Sequence, residues 1–583
     1  MLITSPETGV TLLPMVRMMM TGLLAGGIVL SVAAAPLESS ETTPGTESVP
    51  PKPRRILLIP VDDRPAVAQF AGMIGEIAGS TVETPPKSFL GKFKQPGSPE
   101  SLLRWLRTKN LSDYDAVIVS TDMIAYGGLI ASRVDRSSLN LASNRLRELW
   151  RIRKTSHKTP FYAFSSLMRI APTAVAENRA WRNDLYYWSI WRERARLYGD
   201  PDAKRKAATY AERIPQEEME RYDRARQRNV LVQRELVKMA YHGAFSHLVF
   251  GQDDAAPVGP HIREIAEIHQ EVERLKVGPK VRFCMGIDQI SNCLVTKVIT
   301  DQVGWSPKVA IVSADSRGLD KIAAYETEPI RESLKDQIET SGATIVKDPK
   351  TADYTLFLNT PEPDQTEFNQ FVRKLADDLG DGRAVAVADV NLGWSGTADP
   401  KLFEAITQSK KAPQMLSYAG WNTAGNTMGT TIPAANAYLL AVKTGSDAYR
   451  REVAARSFVL HRLVNDYFYN RYVRPEAYRM IEQMQSGNRE EIYDSANLAR
   501  VEAYVKKDMG DRLQAIFREQ MVARPFRIGE REFHVVGLEN VKIDLPWPRA
   551  YEVALDFNLV VREANAVTSE GSKWDARVTH RLH

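Results

Sequence analysis

Cysteine is nearly missing. Cys284 and Cys293 are the only two in 583 residues, too few for a cysteine-built structural zinc site. In an exported protein the two can pair. Separate thiols fit equally well, because one falls on an expected strand and the other on the helix after it. The nine histidines show no H-x-x-x-H spacing or similar pairing, which weakens the case for a transition-metal centre. The glycine-rich AYGGLIASR stretch lacks the G-x-x-x-x-G-K and G-x-G-x-x-G patterns of phosphate loops. No G-x-S-x-G elbow presents a nucleophilic serine. An excess of one charge is also missing: 77 Lys and Arg are scattered among 72 Asp and Glu, which leaves no nucleic-acid footprint. Beyond the first forty residues no apolar run approaches the roughly 20 residues that span a bilayer.

What is present begins at the N-terminus. Arg17 precedes MMMTGLLAGGIVLSVAAAP, a charged n-region and short apolar core ending in small residues near Ala33–Ala35. That order predicts a signal peptide over 1–35, with a start at Met15 or Met18 also compatible. Residues 36–54, rich in Ser, Thr, Pro and Glu, read as a disordered leader. The expected mature protein is exported, periplasmic or extracellular, with no stable membrane span after cleavage.

Length sets a multi-domain expectation. Short runs rich in Val, Ile, Leu and Phe recur at 56–61, 116–121, 161–166, 247–252, 281–287, 309–314, 354–359, 384–390 and 414–420. Continuous apolar runs of this kind suit strands covered on both faces, as in parallel sheets. Helical patterns separate them, for example at 100–108 and 261–276, and such alternation is the α/β signature. There is also an internal echo. RILLIPVDDRP, a helix, GSTVETPP and DYDAVIVSTDM are followed later by PKVAIVSADSRG, a helix, GATIVKDP and ADYTLFLNTP. The reading is α/β with predominantly parallel sheets in two similar units, 55–300 and 301–445. The alternative is one (β/α)8-like barrel. A helical insertion over 174–242, dense in Arg, Trp and Tyr, is expected to pack its aromatics and expose paired charge. Residues 446–583 read as a C-terminal α+β region, helical over 447–520 with an antiparallel hairpin over 530–562.

Polar residues gather where the strands stop, which is where α/β folds build their sites. Asp62-Asp63-Arg64 follows the first strand. Asp122 follows the next, with Tyr126 and Arg133 close behind. Arg169, the Asp253-Asp254 doublet and Asp288 close later strands. A single Asp there commonly caps a helix or turn, but capping does not account for doublets. Two close carboxylates titrate as a coupled pair, so one can donate a proton near neutral pH while the other stays anionic. Alternatively both stay charged, with an Arg between them or a divalent cation gathered by Asp62, Asp63, Asp253, Asp254 and Asp288. In YAGWNTAGNTMG, Gly420, Gly425 and Gly429 permit tight or left-handed backbone. Trp421, Asn422 and Asn426 offer an apolar face and amides suited to a sugar ring, or equally a structural turn.

PVDDRP, STDMIAYGGLIASR, FGQDDAAPVG and YAGWNTAGNTMG together resemble the motifs of bacterial domain-of-unknown-function family 4127, over about 55–560. That resemblance implies organisation and names no activity. More locally, VFGQDDAAP is similar to the Asp pair of family 84 glycoside hydrolases, which cleave N-acetylglucosaminides. The similarity implies that Asp253 orients the substrate's acetamido group and Asp254 is the general acid. The expected function is an exported hydrolase, a glycosidase acting on an amino-sugar or related glycan. Asp253 and Asp254 are its expected catalytic residues. Asp62, Asp63, Arg64, Asp122, Tyr126, Arg133, Arg169, Asp288, Trp421, Asn422 and Asn426 are its expected substrate-binding residues. No cofactor is expected, with Ca or Mg as the alternative. A two-lobed carbohydrate-binding protein without catalysis, or a divalent-metal-dependent hydrolase or isomerase, are the competing readings. The expected partner is a small molecule or glycan, not nucleic acid.

Overall fold

The computed structural model describes residues 52–485, 489–522 and 524–564. The expected signal peptide and most of the expected leader lie outside the described residues, as do nearly all of the final twenty.

Six strands form the first sheet: β1 (Arg54–Ile59), β2 (Ser80–Glu83), β3 (Ala116–Ser120), β4 (Phe161–Leu167), β5 (His247–Gln252) and β6 (Val281–Met285). All are parallel, in the order β2-β1-β3-β4-β5-β6. Every residue of β3, β4 and β5 is buried, which is why their sequences run apolar without alternation. The second sheet holds β7 (Lys308–Ser313), β8 (Thr344–Ile345), β9 (Tyr354–Asn359), β10 (Val385–Asp389) and β11 (Ser417–Ala419). It is also parallel, in the order β11-β10-β9-β7-β8. Both sheets are open, so the single-barrel alternative is not the fold formed. A third, antiparallel sheet joins β12 (Phe526–Ile528), β13 (Arg531–Asp544) and β14 (Ala554–Glu563).

Counted from its own first strand, the second sheet has the order 2-1-3-4-5 seen in the first five strands of the first sheet. The echo extends to single bonds. Gly79 and Gly342 both take left-handed backbone, with φ of 67° and 83°. Thr81 and Thr344, two residues later, pair with Arg55 and Lys308. The Arg55 amide donates to Asp115 Oδ2 at 2.7 Å, and the Lys308 amide donates to Asp353 Oδ2 at the same distance. Asp353 therefore corresponds to Asp115, not to Asp113 as the Asp-Tyr repeat in the sequence suggests. Seven residues after the paired Arg55 and Lys308, the two copies carry Asp62 and Asp315. Each accepts the amide and the guanidinium of the residue two further on: Arg64 at 3.1, 2.9 and 2.8 Å, and Arg317 at 2.8, 3.1 and 2.8 Å.

The helix Ala424–Lys443 joins the two sheets into one core. Sixteen of its residues are buried, small and apolar ones together with Asn426, Thr427, Thr430, Thr431 and Asn436. Ala434, Ala437 and Leu440 pack with the core of the first sheet, while Ala424, Met428, Ile432 and Ala435 pack with that of the second. The outer face of the second sheet packs on the C-terminal helices and the antiparallel sheet, through Phe357, Val387, Leu460, Phe517 and Leu555 among others. No helix among the described residues is long and apolar enough to cross a membrane.

Candidate functional site

The carboxyl ends of β1 and β3 diverge, because β1 leads outward to β2 and β3 leads the other way to β4. Open α/β sheets bind ligands at such a switch point. Here a narrow crevice opens between Asp62, Gly91, Phe93, Gly127, Gly128 and Trp547. Gly127 and Gly128 take φ of 91° and 126°, backbone that glycine alone adopts without strain. The Gly127 carbonyl accepts the Gly97 amide at 2.8 Å.

Arg64 ties this crevice to the far edge of the sheet. Its guanidinium donates to Asp62 and also to Asp288, after β6, at 2.7 and 3.1 Å. All three side chains are buried. The first doublet thus divides its work. Asp62 holds Arg64, while Asp63 accepts the Trp547 indole N–H at 2.6 Å. Burial raises the Asp63 carboxyl above its usual range, the Trp547 bond opposes this, and the Asp62 charge adds to it.

The second doublet is split more sharply. Asp253 receives Arg133 Nε at 3.0 Å, with Nη2 at 2.5 Å, and Arg133 Nη1 donates to Thr173 at 2.8 Å. Burial alone would raise the Asp253 carboxyl, but the Arg133 and Arg169 charges outweigh it and hold it below the usual range. Asp254 meets Arg169 Nη2 at 2.5 Å. There burial wins. It raises Asp254 against the pull of Arg169, and the neighbouring Asp253 and Asp288 charges push the same way. Like charges sit side by side at the end of a buried strand because each has its own guanidinium, and because their surroundings shift the two carboxyls in opposite directions.

The loops carrying these arginines are gripped from outside by the helix Gln216–Tyr241, part of the expected insertion. Tyr222, Arg226, Asn229 and Gln233 form one buried stripe at helical spacing. Tyr222 donates to the Ile170 carbonyl at 2.9 Å, and Arg226 donates to the carbonyls of Arg169 and Met168 at 2.8 and 3.0 Å. Asn229 takes the Ser132 carbonyl and Gln233 the Ser166 carbonyl. Arg226 is anchored in turn by two 2.7 Å bonds to Glu264. The insertion's purpose is therefore structural support for Arg133 and Arg169. As expected, the insertion packs its aromatics, Trp188 and Tyr222 among them, and exposes paired charge such as Arg221 with Glu217 and Glu218; the buried polar stripe facing the loop carbonyls is additional to that arrangement.

The second unit and the C-terminal region complete the enclosure. Tyr325, at φ 67°, gives its carbonyl to the Ala255 amide at 2.8 Å, and its phenol lies among Asp254, Arg169 and Arg182. A bulky residue held in left-handed backbone is strained, and such strain concentrates at functional sites. The loop between β13 and β14 contributes Trp547 and Tyr551. Tyr551 donates to Asn422 Oδ1 at 2.7 Å, and Asn422 Nδ2 donates to Asn426 Oδ1 at 2.6 Å. Asn426 then reaches Gln289, next to Asp288, at 2.7 Å.

Most of the expected residues thus converge in one linked set: Asp62, Asp63, Arg64, Arg133, Arg169, Asp253, Asp254, Asp288, Asn422 and Asn426. Three differ. Asp122 and Tyr126 lie beneath the site. Asp122 caps the end of β4 by accepting the Ser166 amide at 2.8 Å, and Tyr126 lies under the Arg228 guanidinium at 4.3 Å. Trp421 serves the fold, with its N–H on Thr430 at 3.2 Å and its ring edge-on to Phe70 at 5.7 Å. Gly420, Gly425 and Gly429 are not left-handed; Asn422 is, at φ 60°. Gly425 and Gly429 permit close approach instead, since a β-carbon on Gly425 would lie 2.6 Å from the Met285 carbonyl oxygen. Trp547, Tyr551, Tyr325 and Arg182 escaped the sequence reading. The proline-flanked aromatic run LPWPRAY, between two alternating strands, is the one local signal that pointed to the first two. Cys284 and Cys293 are both buried free thiols.

Among the described residues no group of three His, Cys, Asp or Glu is placed to hold a metal ion. Asp62, Asp288, Asp253 and Asp254 each face a guanidinium.

No curated protein matches the chain, and no solved structure does, so the likeness of the Asp253-Asp254 stretch to family 84 glycoside hydrolases rests on those few residues alone. The family described as Protein of unknown function (DUF4127) matches residues 56–556, and the chain belongs to that family.

Proposed function

We propose that this protein is an exported hydrolase that cleaves a glycosidic bond, with Asp254 as the general acid and Asp253 as its fixed, anionic neighbour. The observation that carries this reading is the geometry of two adjacent carboxyls, Asp253 locked by Arg133 at 3.0 Å and Asp254 beside Arg169 at 2.5 Å, in surroundings that lower the first and raise the second. Environments that push a carboxyl pair apart are how acid and base roles are assigned within one site. In the proposed reaction Asp254 gives its proton to the departing oxygen as the C–O bond breaks. Water adds to the anomeric carbon and its proton returns to the Asp254 carboxylate. Asp253, locked by Arg133, orients the sugar by accepting a hydrogen bond.

The test is Asp254→Asn against wild type on a broad panel of aryl glycosides. The expected loss is at least about 100-fold in kcat, the scale of one general acid. An inert wild type, or an equally active variant, refutes the assignment.

A second reading, a two-lobed glycan-binding protein, is favoured by the 2.5 Å contact between Arg169 and Asp254, which leaves the acid already partnered. It predicts that sugars raise the unfolding midpoint with no turnover.

A further inference from the structure

Arg182 opens the helix Arg182–Tyr198, and Arg474 opens the helix Arg474–Met484. Both belong to the surroundings of Asp254. Arg182 has Arg169, Asp254 and Tyr325 among the charges and phenols acting on it. Arg474 lies over the Tyr551 ring at 5.4 Å, and Tyr551 neighbours Asp254 and Arg169.

Arg64, Arg133 and Arg169 each have a carboxylate within 4 Å. Among the described residues Arg182 and Arg474 have none. Arg182 donates to the Pro172 carbonyl at 2.8 Å and to Asn183 Oδ1 at 3.3 Å. Arg474, only 9% exposed, donates to the Ser395 carbonyl at 2.8 Å. Neutral acceptors aim a guanidinium without neutralising it. Desolvating such a charge without a counter-ion is costly, and an anion arriving from solution offsets that cost.

A planar carboxylate suits the guanidinium fork of each arginine.

We propose that Arg182 and Arg474 form a subsite for the carboxylate of an acidic sugar, a uronic acid or an acid-substituted amino sugar, next to the bond that Asp254 acts on. This rests on the hydrolase reading above and narrows its substrate class.

Isothermal titration of the purified protein with methyl β-glucuronide, methyl β-glucoside, sodium phosphate and sodium sulfate tests it. The expected result is that the glucuronide binds at least about 10-fold tighter than the glucoside. Arg182→Gln and Arg474→Gln should each weaken the glucuronide about 10- to 100-fold, the scale of one charge-assisted bond, and leave the glucoside unchanged. Arg182→Lys, which keeps the charge but loses the fork, should retain part of the preference. Phosphate or sulfate binding more tightly than the glucuronide overturns the sugar-acid assignment. Equal affinity for the two glycosides, or a preference that survives in both the Gln and Lys variants, overturns the subsite. If neutral aryl glycosides are nevertheless cleaved in an Asp254-dependent way, the subsite alone falls. If no glycoside is bound or cleaved, the hydrolase reading falls with it.

Discussion

Replacing Arg226 with methionine probes the support that holds the site arginines. In the native chain its guanidinium makes two 2.7 Å bonds to Glu264 and reaches the carbonyls of Met168 and Arg169 and the Tyr222 hydroxyl. Arg226 is 3% exposed and Glu264 6%. Methionine fills much of the volume but strands Glu264 as a buried, unpaired carboxylate. Stranding one partner of a buried ion pair costs about 3–5 kcal/mol. The two lost carbonyl bonds add roughly 1 kcal/mol each before relaxation, so a loss of about 5–7 kcal/mol is expected. Adding Glu264→Met removes the stranded charge and should recover at least half of the loss, since an apolar pair often replaces a buried ion pair without net cost. The single variant should also recover at low pH. Acid neutralises a stranded carboxylate and so removes part of its burial penalty. The assay is urea unfolding of wild type, single and double variants at pH 5 and pH 8, followed by tryptophan fluorescence, with hydrogen exchange at 168–170 as the local readout. A chain of this length is not expected to unfold in one step, so the comparison is made on the transition that reports the insertion, where Trp188 packs against Tyr222. A single-variant loss under about 1 kcal/mol, or a double variant no better than the single, would refute the reasoning.

Glu326 is buried, takes the Gly425 amide at 2.5 Å, and is pushed up to about 7 by burial, against the pull of that bond. A raised carboxyl binds its proton more tightly folded than unfolded, so its penalty grows as pH rises from about 4.5 to 7 and is constant above; Glu326→Gln should flatten stability over that window and be more stable than wild type at pH 8 by an amount of order 2 kcal/mol, and thermal midpoints that stay parallel from pH 5 to pH 8 would contradict this. Arg64→Ala strands Asp62 and Asp288 and should cost about 3–5 kcal/mol, whereas Arg317→Ala, in the equivalent but exposed position, should leave the unfolding midpoint unchanged; similar midpoints for the two variants would show that burial does not separate the two copies.

The strands were readable because parallel strands buried on both faces must run apolar, and β5 and β9 match their expected bounds residue for residue. β2 and β8 did not read as strands in their own right. They are edge strands of four and two residues, partly or wholly exposed, so burial imposed little pattern on them. The doublets were readable because a second Asp exceeds what capping needs. Arg226, Asn229 and Gln233 were not, since a polar stripe on a charged helix looks like a solvated face until the partner carbonyls are placed. Tyr325 and Tyr551 come from chain segments far from Asp254 in sequence, and only the packing of the second unit and of the β13–β14 loop brings them there.

The two α/β units began with the same device, an aspartate that folds back on the arginine two residues later, and they ended differently. In the second unit Arg317 is 71% exposed at its side chain and, among the described residues, meets no buried third partner. Nearby, Asp389 is saturated by Asn359, by the Asn391 amide and by the Asp399 amide, so the carboxyl edge of that sheet is closed by its own side chains. In the first unit Arg64 is captured by Asp288, which follows β6, a strand with no counterpart in the five-stranded sheet. The sixth strand therefore converts a local turn into a buried bridge from β1 to β6. Through Gln289 it also connects that bridge to Asn426 on the helix shared by both units. Function is expected where the duplication is broken, because only there are charges from separate loops left facing one another instead of satisfying themselves.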